Sequence, residues 1–223
     1  MSSSFPSASG SAWAKTPSFF AQYMEALPEA CDTDIHLIAG AADGKFVLPL
    51  IRRGYRVVAV ERDDRYVDGT HPVLVEDHRQ GLSERVAAVD RLGTAEVLTA
   101  DYMELAHYSG RFASVFTSCS WHYSCNAAHE LGDMVRKLQS FVRAGGILAA
   151  DFMLEMGDET PKNSRYPTLE EVLVLFTEWD IRLALETRAF PEPAHIDNPV
   201  DHEHRMGFVL AVHSSHDLGV TPR

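Results

Sequence analysis

Three small residues alternate along one short turn, and an acid stands at the end of the next apolar run. The small residues are Gly40, Ala42 and Gly44, and the acid is Glu61. Backbone can approach a ligand closely only where side chains are small, and the start of a following helix offers free N–H groups. A carboxylate at a strand tip can accept hydrogen bonds from both hydroxyls of a ribose. Residues 34–61 therefore predict a strand, tight turn, helix and strand that bind a nucleotide.

The spacing of these residues separates two kinds of nucleotide site. A dinucleotide-binding turn has the pattern G-x-G-x-x-G, but Ala42 and Lys45 stand at its second and third glycine positions. The turn instead resembles motif I of the class I S-adenosylmethionine (SAM)-dependent methyltransferases, G-x-G-x-G, with Ala42 in place of the middle glycine. An ordinary strand–helix connection is the alternative for the turn alone, and the order of the later motifs favours the methyltransferase resemblance.

The resemblance implies SAM as the cofactor and S-adenosylhomocysteine as its product. It places the cofactor against the turn, the tips of the second and third strands, and the end of the fourth. In this family an acid after the third strand commonly contacts the adenine amino group, and Asp101 matches that place; capping a helical turn is its alternative role. The residues expected at the cofactor are Gly40, Ala42, Asp43, Gly44, Glu61, Arg62, Asp101, Tyr102, Ser118 and Cys119.

The segment after the fourth predicted strand is the densest polar and aromatic run in the chain. Methyl transfer is a direct displacement, so we do not expect Cys119 or Cys125 to act as a nucleophile. A neutral acceptor needs a base within reach, and His122 suits that task because imidazole titrates near neutrality. A histidine bonded within the loop is the alternative. Trp121 and Tyr123 are expected to contact substrate, or else to pack against the N-terminal helix.

A second group of candidate catalytic residues lies in the loop 190–204, where His195 and His202 are reserve bases. His202 and His204 share one face if a strand begins early in this stretch. Two histidines with nearby acids could bind a divalent metal, but their spacing matches no established signature, so we assign no metal site. A polar solvent loop is the simplest interpretation. The other is a loop that folds over the strand tips toward the substrate.

The N-terminal stretch 13–27 has the apolar spacing of a short helix, with Thr16 as its N-cap. Packing on the core is one interpretation of its apolar stripe. The alternative follows from the resemblance, since N-terminal helices of this family often lie over the cofactor mouth. In that case Trp13, Phe20 and Tyr23 bind substrate, and this helix closes the acceptor site together with the histidine-rich loop.

The order of predicted elements gives an α/β fold, a Rossmann-like three-layer α/β/α sandwich. Residues 67–80 read as a loop, and strands at 181–189 and 205–213 form an antiparallel C-terminal β-hairpin. The sheet should have seven strands, mostly parallel, with an N-terminal helix in addition. We divide the chain into a disordered tail (1–12), a helical cap (13–33), a SAM-binding domain (34–213) and a C-terminal tail (214–223).

Composition limits the partners that the chain can have. Its 223 residues carry a net charge of −12 without a basic block, which disfavours nucleic acid and anionic membranes. No apolar run reaches the roughly 18 residues of a membrane span, and the N-terminus lacks signal-peptide features. Three cysteines without a C-x-x-C pair favour a reducing cytoplasm. We expect a cytoplasmic protein with a small-molecule substrate, without nucleic-acid or membrane partners, and leave homodimer formation open.

Three classes of function follow from these patterns. The first is a SAM-dependent methyltransferase that acts on a small molecule, with O, N, S and C all open as acceptor atoms and specialised metabolism as one setting. The second keeps the fold but not the reaction, as a SAM-binding regulator or a SAM-assisted cyclase. The third is a nicotinamide-dependent reductase, which Lys45 disfavours because that turn requires glycine there. We favour the first.

Overall fold

Helices and strands alternate along most of the chain. The computed structural model describes residues 11–13, 16–75, 80–122, 128–157, 166–192 and 200–214. The strands described are β1 (Ile35–Ala39), β2 (Arg56–Glu61), β3 (Ala95–Thr99), β4 (Phe112–Ser118), β5 (Val142–Met153), β6 (Trp179–Glu186), β7 (Phe190–Glu192), β8 (His202–His204) and β9 (Met206–His213). The α-helices described are α1 (Phe20–Ala26), α2 (Val47–Arg52), α3 (Asp64–Asp68), α4 (Pro72–Val75), α5 (Leu82–Val89), α6 (Leu131–Phe141) and α7 (Leu169–Val174).

The main sheet has seven strands in the order β3-β2-β1-β4-β5-β9-β6. Strand β1 pairs in parallel with β2 and β4, β2 pairs in parallel with β3, and β4 with β5. Strand β9 runs antiparallel between β5 and β6. The strand order reverses between β1 and β4, and ligands of open α/β sheets bind at the carboxyl ends of strands there. The predicted Rossmann-like fold, with its C-terminal hairpin, is confirmed.

Helices cover both faces of this sheet, as the three-layer prediction requires. Successive residues of β1 point to opposite faces, so Leu37 lies in one buried cluster and Ile38 in the other. Helices α1, α2 and α5 contribute to the Ile38 cluster, and α6 and α7 to the Leu37 cluster. Burial on both faces explains why the parallel strands are apolar throughout. In the described part of the chain, no helix has the length and apolar character to span a membrane.

The N-terminal helix is shorter than predicted. It begins at Phe20, and Phe19 stands at the N-cap position without a side-chain hydrogen bond. The expected cap, Thr16, is therefore not a cap. Its carbonyl oxygen instead accepts a hydrogen bond from Nζ of Lys45 at 2.6 Å. A long-range contact thus holds Thr16 against the turn, in spite of the local signal for a helix start.

The predicted loop 67–80 contains parts of two helices. Helix α3 ends at Asp68, and Gly69 closes it in the left-handed conformation with φ 80°. Helix α4 then begins at Pro72. Proline suits the first position of a helix, because its missing N–H would be unpaired there in any case. Pro72 was thus a local signal for a helix within the segment predicted to be a loop.

A row of buried, hydrogen-bonded side chains links β1, β4 and α1. Nδ1 of His36 lies 2.7 Å from Oγ of Ser114, which lies 2.5 Å from Oη of Tyr23. Burial lowers the pKa of His36 to about 4; Arg143 acts in the same direction and Asp34 against it. His36 is therefore neutral inside the folded protein near pH 7.

We expect this histidine to make the fold sensitive to mild acid. Its pKa is lower in the folded chain than in the unfolded one, so its contribution to stability is complete above the unfolded pKa of 6.5 and is lost toward pH 4. Between about pH 7 and about pH 4.5 the loss should be about 2–3 kcal/mol. Urea unfolding should show that the His36→Gln variant loses less stability than the parent by that amount. An equal pH dependence of the two proteins would contradict this prediction.

Candidate active site

The turn after β1 has the backbone conformation that its small residues were expected to allow. Gly40, Ala42 and Gly44 all have positive φ, at 72°, 44° and 88°. The N–H groups of Gly40 and Ala41 both donate to the carbonyl oxygen of Val60 at 2.9 Å, which ties the turn to β2. A left-handed alanine costs about 1–2 kcal/mol, so the chain keeps the glycine-type turn in spite of Ala42.

The two glycines of the turn are needed for different reasons. A Cβ atom at Gly44 would lie 2.9 Å from Cδ1 of Leu82, so bulk there would disturb the packing of α5. A Cβ atom at Gly40 would meet Cβ of Ser120 at an ordinary 3.4 Å. Gly40 therefore faces the segment after β4, where a ligand of the turn would lie. Gly44 packs against α5, and its contact with the cofactor remains a prediction.

Glu61 ends β2 with its carboxylate held in place. Oε2 accepts a hydrogen bond from the N–H of Ala42 at 2.7 Å, and Oε1 accepts one from the N–H of Asp63 at 2.9 Å. Burial raises the pKa of Glu61, and these two N–H groups oppose that effect. An ionised carboxylate has about four acceptor positions, so it can accept from further donors besides the backbone. The geometry therefore suits the expected pair of ribose hydroxyls.

Arg62 and Asp101 stand beside each other at the tips of β2 and β3. Nη1 of Arg62 lies 3.5 Å from Oδ2 of Asp101, in a pair too exposed to stabilise the fold much. Oδ1 of Asp101 accepts from the N–H of Met103, which confirms the capping role. Its contact with adenine remains a prediction. Tyr102 is buried in the hydrophobic core, and its contact with the cofactor remains a prediction.

The backbone at the end of β4 bends toward β5. Cys119 has a left-handed φ of 52°, and its N–H donates to the carbonyl oxygen of Asp151 at 2.9 Å. Ser118 is paired with Asp151 across the two strands. Burial raises the pKa of the Cys119 thiol, and Asp151 raises it further. Cys119 is therefore a thiol at neutral pH, which agrees with the expectation that no thiolate attacks the substrate.

Asp151 is a buried carboxyl group that the sequence analysis did not select. It has no exposed surface, and its Oδ2 accepts a hydrogen bond from the N–H of Phe19 at 3.1 Å. Burial raises its pKa to about 6, although Ser118, Phe19 and the charge of Lys45 oppose the rise. Burial also lowers the pKa of Lys45, whose Nζ donates to the segment before α1. An acid at the end of an apolar strand was the available signal for Asp151.

The side chain of Asp43 is engaged within the fold, and its contact with the cofactor remains a prediction. Its carboxylate is fully buried and lies 2.9 Å from Nη1 of Arg85. It also accepts hydrogen bonds from Oγ of Ser11 at 2.9 Å and from the N–H of Ala12 at 2.7 Å. Both oxygens are thus occupied, and Asp43 fastens the N-terminal segment and α5 to the turn. Trp13 follows in that segment and is half-buried, and its contact with substrate remains a prediction.

Two aromatic residues expected at the substrate lie in the core instead. Tyr23 is fully buried and stacks on Phe116 at 4.9 Å between ring centroids. Trp121 is also fully buried and stacks on Phe152 at 5.1 Å, in the cluster on the other face from α1. Phe20 is half-buried and packs against both Tyr23 and Phe116. Large aromatic rings gain most from full burial, which decides their place here.

His122 follows Trp121 and faces the small hairpin of β7 and β8. Its ring meets Tyr166 edge to face at 5.7 Å, and Tyr166 lies 6.4 Å from His204. Burial lowers the pKa of His122 to about 4, and His204 acts in the same direction. His122 therefore titrates below the neutral range that the sequence suggested. Tyr166 and His204 were not among the expected site residues.

The β7–β8 hairpin lies near the end of β4 and the turn after β1, and closure of the loop 190–204 over the acceptor remains a prediction. Burial raises the pKa of Cys119 and lowers that of Lys45, and the charge of Glu192 acts on both groups as a smaller influence. His202 lies opposite Glu192 in the hairpin, with 3.6 Å between Nε2 and Oε2. His195 and Tyr123 lie outside the described residues, so their roles remain predictions.

Comparison with solved structures agrees with this geometry. The sequence matches no family model and no curated protein. A SAM-dependent methyltransferase from Methanosarcina mazei is 14% identical over 86% of this chain and 97% of its own, with a TM-score of 0.62. Geranyl diphosphate C-methyltransferase from Streptomyces coelicolor A3(2), solved with Mg²⁺, geranyl diphosphate and S-adenosylhomocysteine, is 12% identical over 87% and 78%, with a TM-score of 0.60.

A further structural neighbour comes from Burkholderia thailandensis. It is 1,6-didemethyltoxoflavin-N1-methyltransferase with bound 1,6-didemethyltoxoflavin and S-adenosylhomocysteine, 16% identical over 81% of this chain and 71% of its own, with a TM-score of 0.54. At these identities the likeness establishes the fold. The chain has the class I methyltransferase fold, with its turn, acid and strand order at the places that the sequence predicted.

Proposed function

We propose that the chain is a SAM-dependent methyltransferase that acts on a small molecule and releases S-adenosylhomocysteine. The observation that carries the proposal is the carboxylate of Glu61, held at the tip of β2 by two backbone N–H groups. It stands next to a turn in which Gly40 and Ala42 have positive φ and present backbone rather than side chains. Two of the solved structures with this fold hold S-adenosylhomocysteine.

Each part of the cofactor has a matching group in this arrangement. The turn around Gly40 would take the amino-acid portion, because a side chain there would point toward the segment after β4. Glu61 would bind the ribose, and Asp101 with Arg62 would contact the adenine. Ser118 would lie against the cofactor at the end of β4. When bound, SAM supplies a methyl group on a positively charged sulfur, and the chain has to align the acceptor with it.

The acceptor would enter between the segment before α1 and the β7–β8 hairpin. Lys45 contacts the segment before α1, His122 lies near the hairpin, and the fully buried carboxyl group of Asp151 accepts a hydrogen bond from that segment, so the surroundings are polar. The net charge of −12 makes a nucleic-acid acceptor unfavourable. A small molecule is therefore the acceptor class that we propose, and the cysteine pattern is our reason for proposing a cytoplasmic setting.

Two groups could take a proton from a neutral acceptor, and their pKa values distinguish them. Asp151, with a pKa of about 6, is a stronger base than His122, with a pKa of about 4. We propose Asp151 for this role, because catalytic bases work best with a pKa near the working pH. The acceptor would displace the N–H of Phe19, which donates to Oδ2 of Asp151 in this structure. His122 would then contact the acceptor without removing its proton.

We expect the Asp151→Asn variant to lose turnover by about 10²- to 10⁴-fold while its affinity for SAM stays nearly constant. Asparagine keeps the oxygen that accepts from Phe19, so the segment before α1 should stay in place. In the parent, turnover should fall as the pH drops through about 6, because the base becomes protonated. Single-turnover rates with labelled SAM would measure this once the acceptor is known.

The His122→Ala variant is the matched comparison. If Asp151 is the base, this variant should keep the fall in rate near pH 6 and lose less turnover than Asp151→Asn. Full turnover in Asp151→Asn, together with a rate that falls only near pH 4 in the parent, would identify His122 as the base instead.

Transfer of labelled methyl groups from SAM into a cell extract is the experiment that tests the function itself. Label should appear in a molecule of low molecular mass when the parent protein is added. SAM binding without label transfer would favour the regulator or cyclase. A reductase is disfavoured further because Lys45 stands where a dinucleotide turn has its third glycine, and its Nζ is bonded to the carbonyl oxygen of Thr16.

A further inference from the structure

The β7–β8 hairpin brings together three side chains that are typical metal ligands. Glu192 is paired with His202 across the two strands, and His204 lies two residues further along β8. Side chains two apart in a strand point to the same face, so both imidazoles lie on the side that carries Glu192. Strand pairing therefore brings together three ligands whose spacing along the chain matches no metal-binding signature.

The distances between the three groups fit a shared ion. Oε2 of Glu192 lies 2.9 Å from Nε2 of His204 and 3.6 Å from Nε2 of His202. One ligand atom from each residue can be chosen so that all lie within 4.8 Å of one another. Ligands at about 2.0–2.2 Å from a tetrahedral zinc ion are separated by about 3.3–3.5 Å. Small side-chain adjustments are enough to reach that arrangement.

A hydrogen bond from Nδ1 of His202 orients its imidazole ring for metal binding through Nε2. Nδ1 of His202 lies 2.8 Å from the carbonyl oxygen of Val200. A carbonyl can only accept, so Nδ1 carries a proton, and Nε2 on the side of Glu192 is the nitrogen left to bind a metal. Metal-bound histidines commonly donate their second nitrogen to a backbone carbonyl in this way, which fixes the ring orientation.

Burial and donor type define the kind of ion. The exposed fractions of the side chains are 14% for His202 and Glu192 and 9% for His204, so the cluster is largely shielded from water. Two imidazoles and one carboxylate favour divalent transition metals over Mg²⁺ and Ca²⁺, which prefer oxygen ligands. Three protein ligands also leave an open coordination position, as in catalytic rather than structural zinc sites.

We propose that Glu192, His202 and His204 form a binding site for a divalent transition-metal ion of the zinc class. Tyr166 packs between His204 and His122, so the site borders the opening where the acceptor would enter. The open position is therefore available to an oxygen or nitrogen atom of a small molecule in that opening. The site requires neither SAM nor methyl transfer, and it stands or falls independently of the proposed function.

Metal titration of the untagged full-length protein, stripped with a chelator, tests this proposal. Zn²⁺ affinity is measured by competition with a chromophoric chelator, and Co²⁺ is followed by its visible absorption. We expect one ion per chain, with affinity reduced at least about 100-fold in His202→Ala and in His204→Ala, because one of three protein ligands is removed. His107→Ala, which removes an exposed histidine in a short 3₁₀ turn, should bind as the parent does.

Two further measurements distinguish the loss of a metal ligand from the loss of the fold. Glu192→Gln keeps the shape and an oxygen acceptor for His204 but removes the charge, so it should fold and still bind Zn²⁺ more weakly. Zn²⁺ should raise the thermal midpoint of the parent and of His107→Ala, but not of the two ligand variants. Absence of Zn²⁺ and Co²⁺ binding, equal affinity in the parent and all four variants, or a preference for Mg²⁺ would each overturn the proposal. SAM calorimetry on the same samples tests the proposed function separately.

Discussion

Replacing Asp43 by alanine should lower the free energy of unfolding by about 3–5 kcal/mol. The variant leaves the guanidinium of Arg85, which is itself buried, without the carboxylate at 2.9 Å. An uncompensated buried charge costs far more than the net worth of the pair, because desolvation is no longer offset. The hydrogen bonds from Ser11 and Ala12 are lost as well, so the N-terminal segment should detach from the turn. Urea unfolding monitored by circular dichroism measures the loss.

The matched control for this prediction is the ion pair of Asp180 and Arg182, which is exposed on β6. Asp180→Ala should change stability by less than about 1 kcal/mol, since surface pairs contribute little. Adding Arg85→Met to Asp43→Ala should recover part of the lost stability by removing the unpaired charge. If Asp43→Ala cost no more than Asp180→Ala, the carboxylate would not be the anchor that the structure indicates.

Replacing Glu61 by alanine should weaken SAM binding by about 30- to 900-fold, equal to about 2–4 kcal/mol. The carboxylate is the group proposed to accept both ribose hydroxyls, and hydrogen bonds to a charged acceptor are the stronger kind. Its two backbone donors, Ala42 and Asp63, already fix its orientation, so little ordering is required on binding. Isothermal titration with SAM gives the affinity directly.

The controls separate loss of a ligand contact from damage to the turn. Glu61→Gln keeps an oxygen acceptor for the N–H of Ala42 and should remain folded, yet it should also bind SAM weakly because the charge is lost. Glu96→Ala removes an exposed acid from the neighbouring β3 and should leave the affinity unchanged. Undiminished SAM binding by Glu61→Ala would show that the end of β2 is not the ribose site.

The sequence was sufficient for the features that local pattern determines. The alternation of Gly40, Ala42 and Gly44 between two apolar runs predicted the turn, and positive φ at all three positions agrees with it. The order of apolar runs predicted a mostly parallel sheet with a C-terminal hairpin, which the strand order confirms. Parallel strands buried on both faces are uniformly apolar, so their positions are visible in the chain without tertiary information.

Side-chain direction could not be predicted in the same way. Tyr23 lies on α1 and Trp121 follows β4, and at both places an aromatic ring can serve a ligand or the core with the same local sequence. Burial against Phe116 and Phe152 decides the outcome, and that packing depends on elements far away in the chain. Asp43 shows the same limit, because its partner Arg85 lies on α5.

Long-range pairing also determines what the loop after β6 can do. Glu192 and the two histidines of β8 are separated by residues whose composition suggests a solvent loop, and only strand register places them on one face. Asp151 was missed for a related reason. Its raised pKa depends on burial, and the N–H that its carboxyl group accepts from belongs to Phe19, in a segment that the sequence predicted to be helical but that precedes α1.

Calorimetric titration of the parent protein with SAM, S-adenosylhomocysteine and NAD is the most direct test of the central claim, that the turn and Glu61 form a SAM site. We expect SAM and S-adenosylhomocysteine to bind saturably, with one molecule per chain, and NAD to give no binding heat. The turn has Lys45 where a dinucleotide site requires its third glycine, so NAD should be excluded. Binding of NAD without binding of SAM or S-adenosylhomocysteine would contradict the claim.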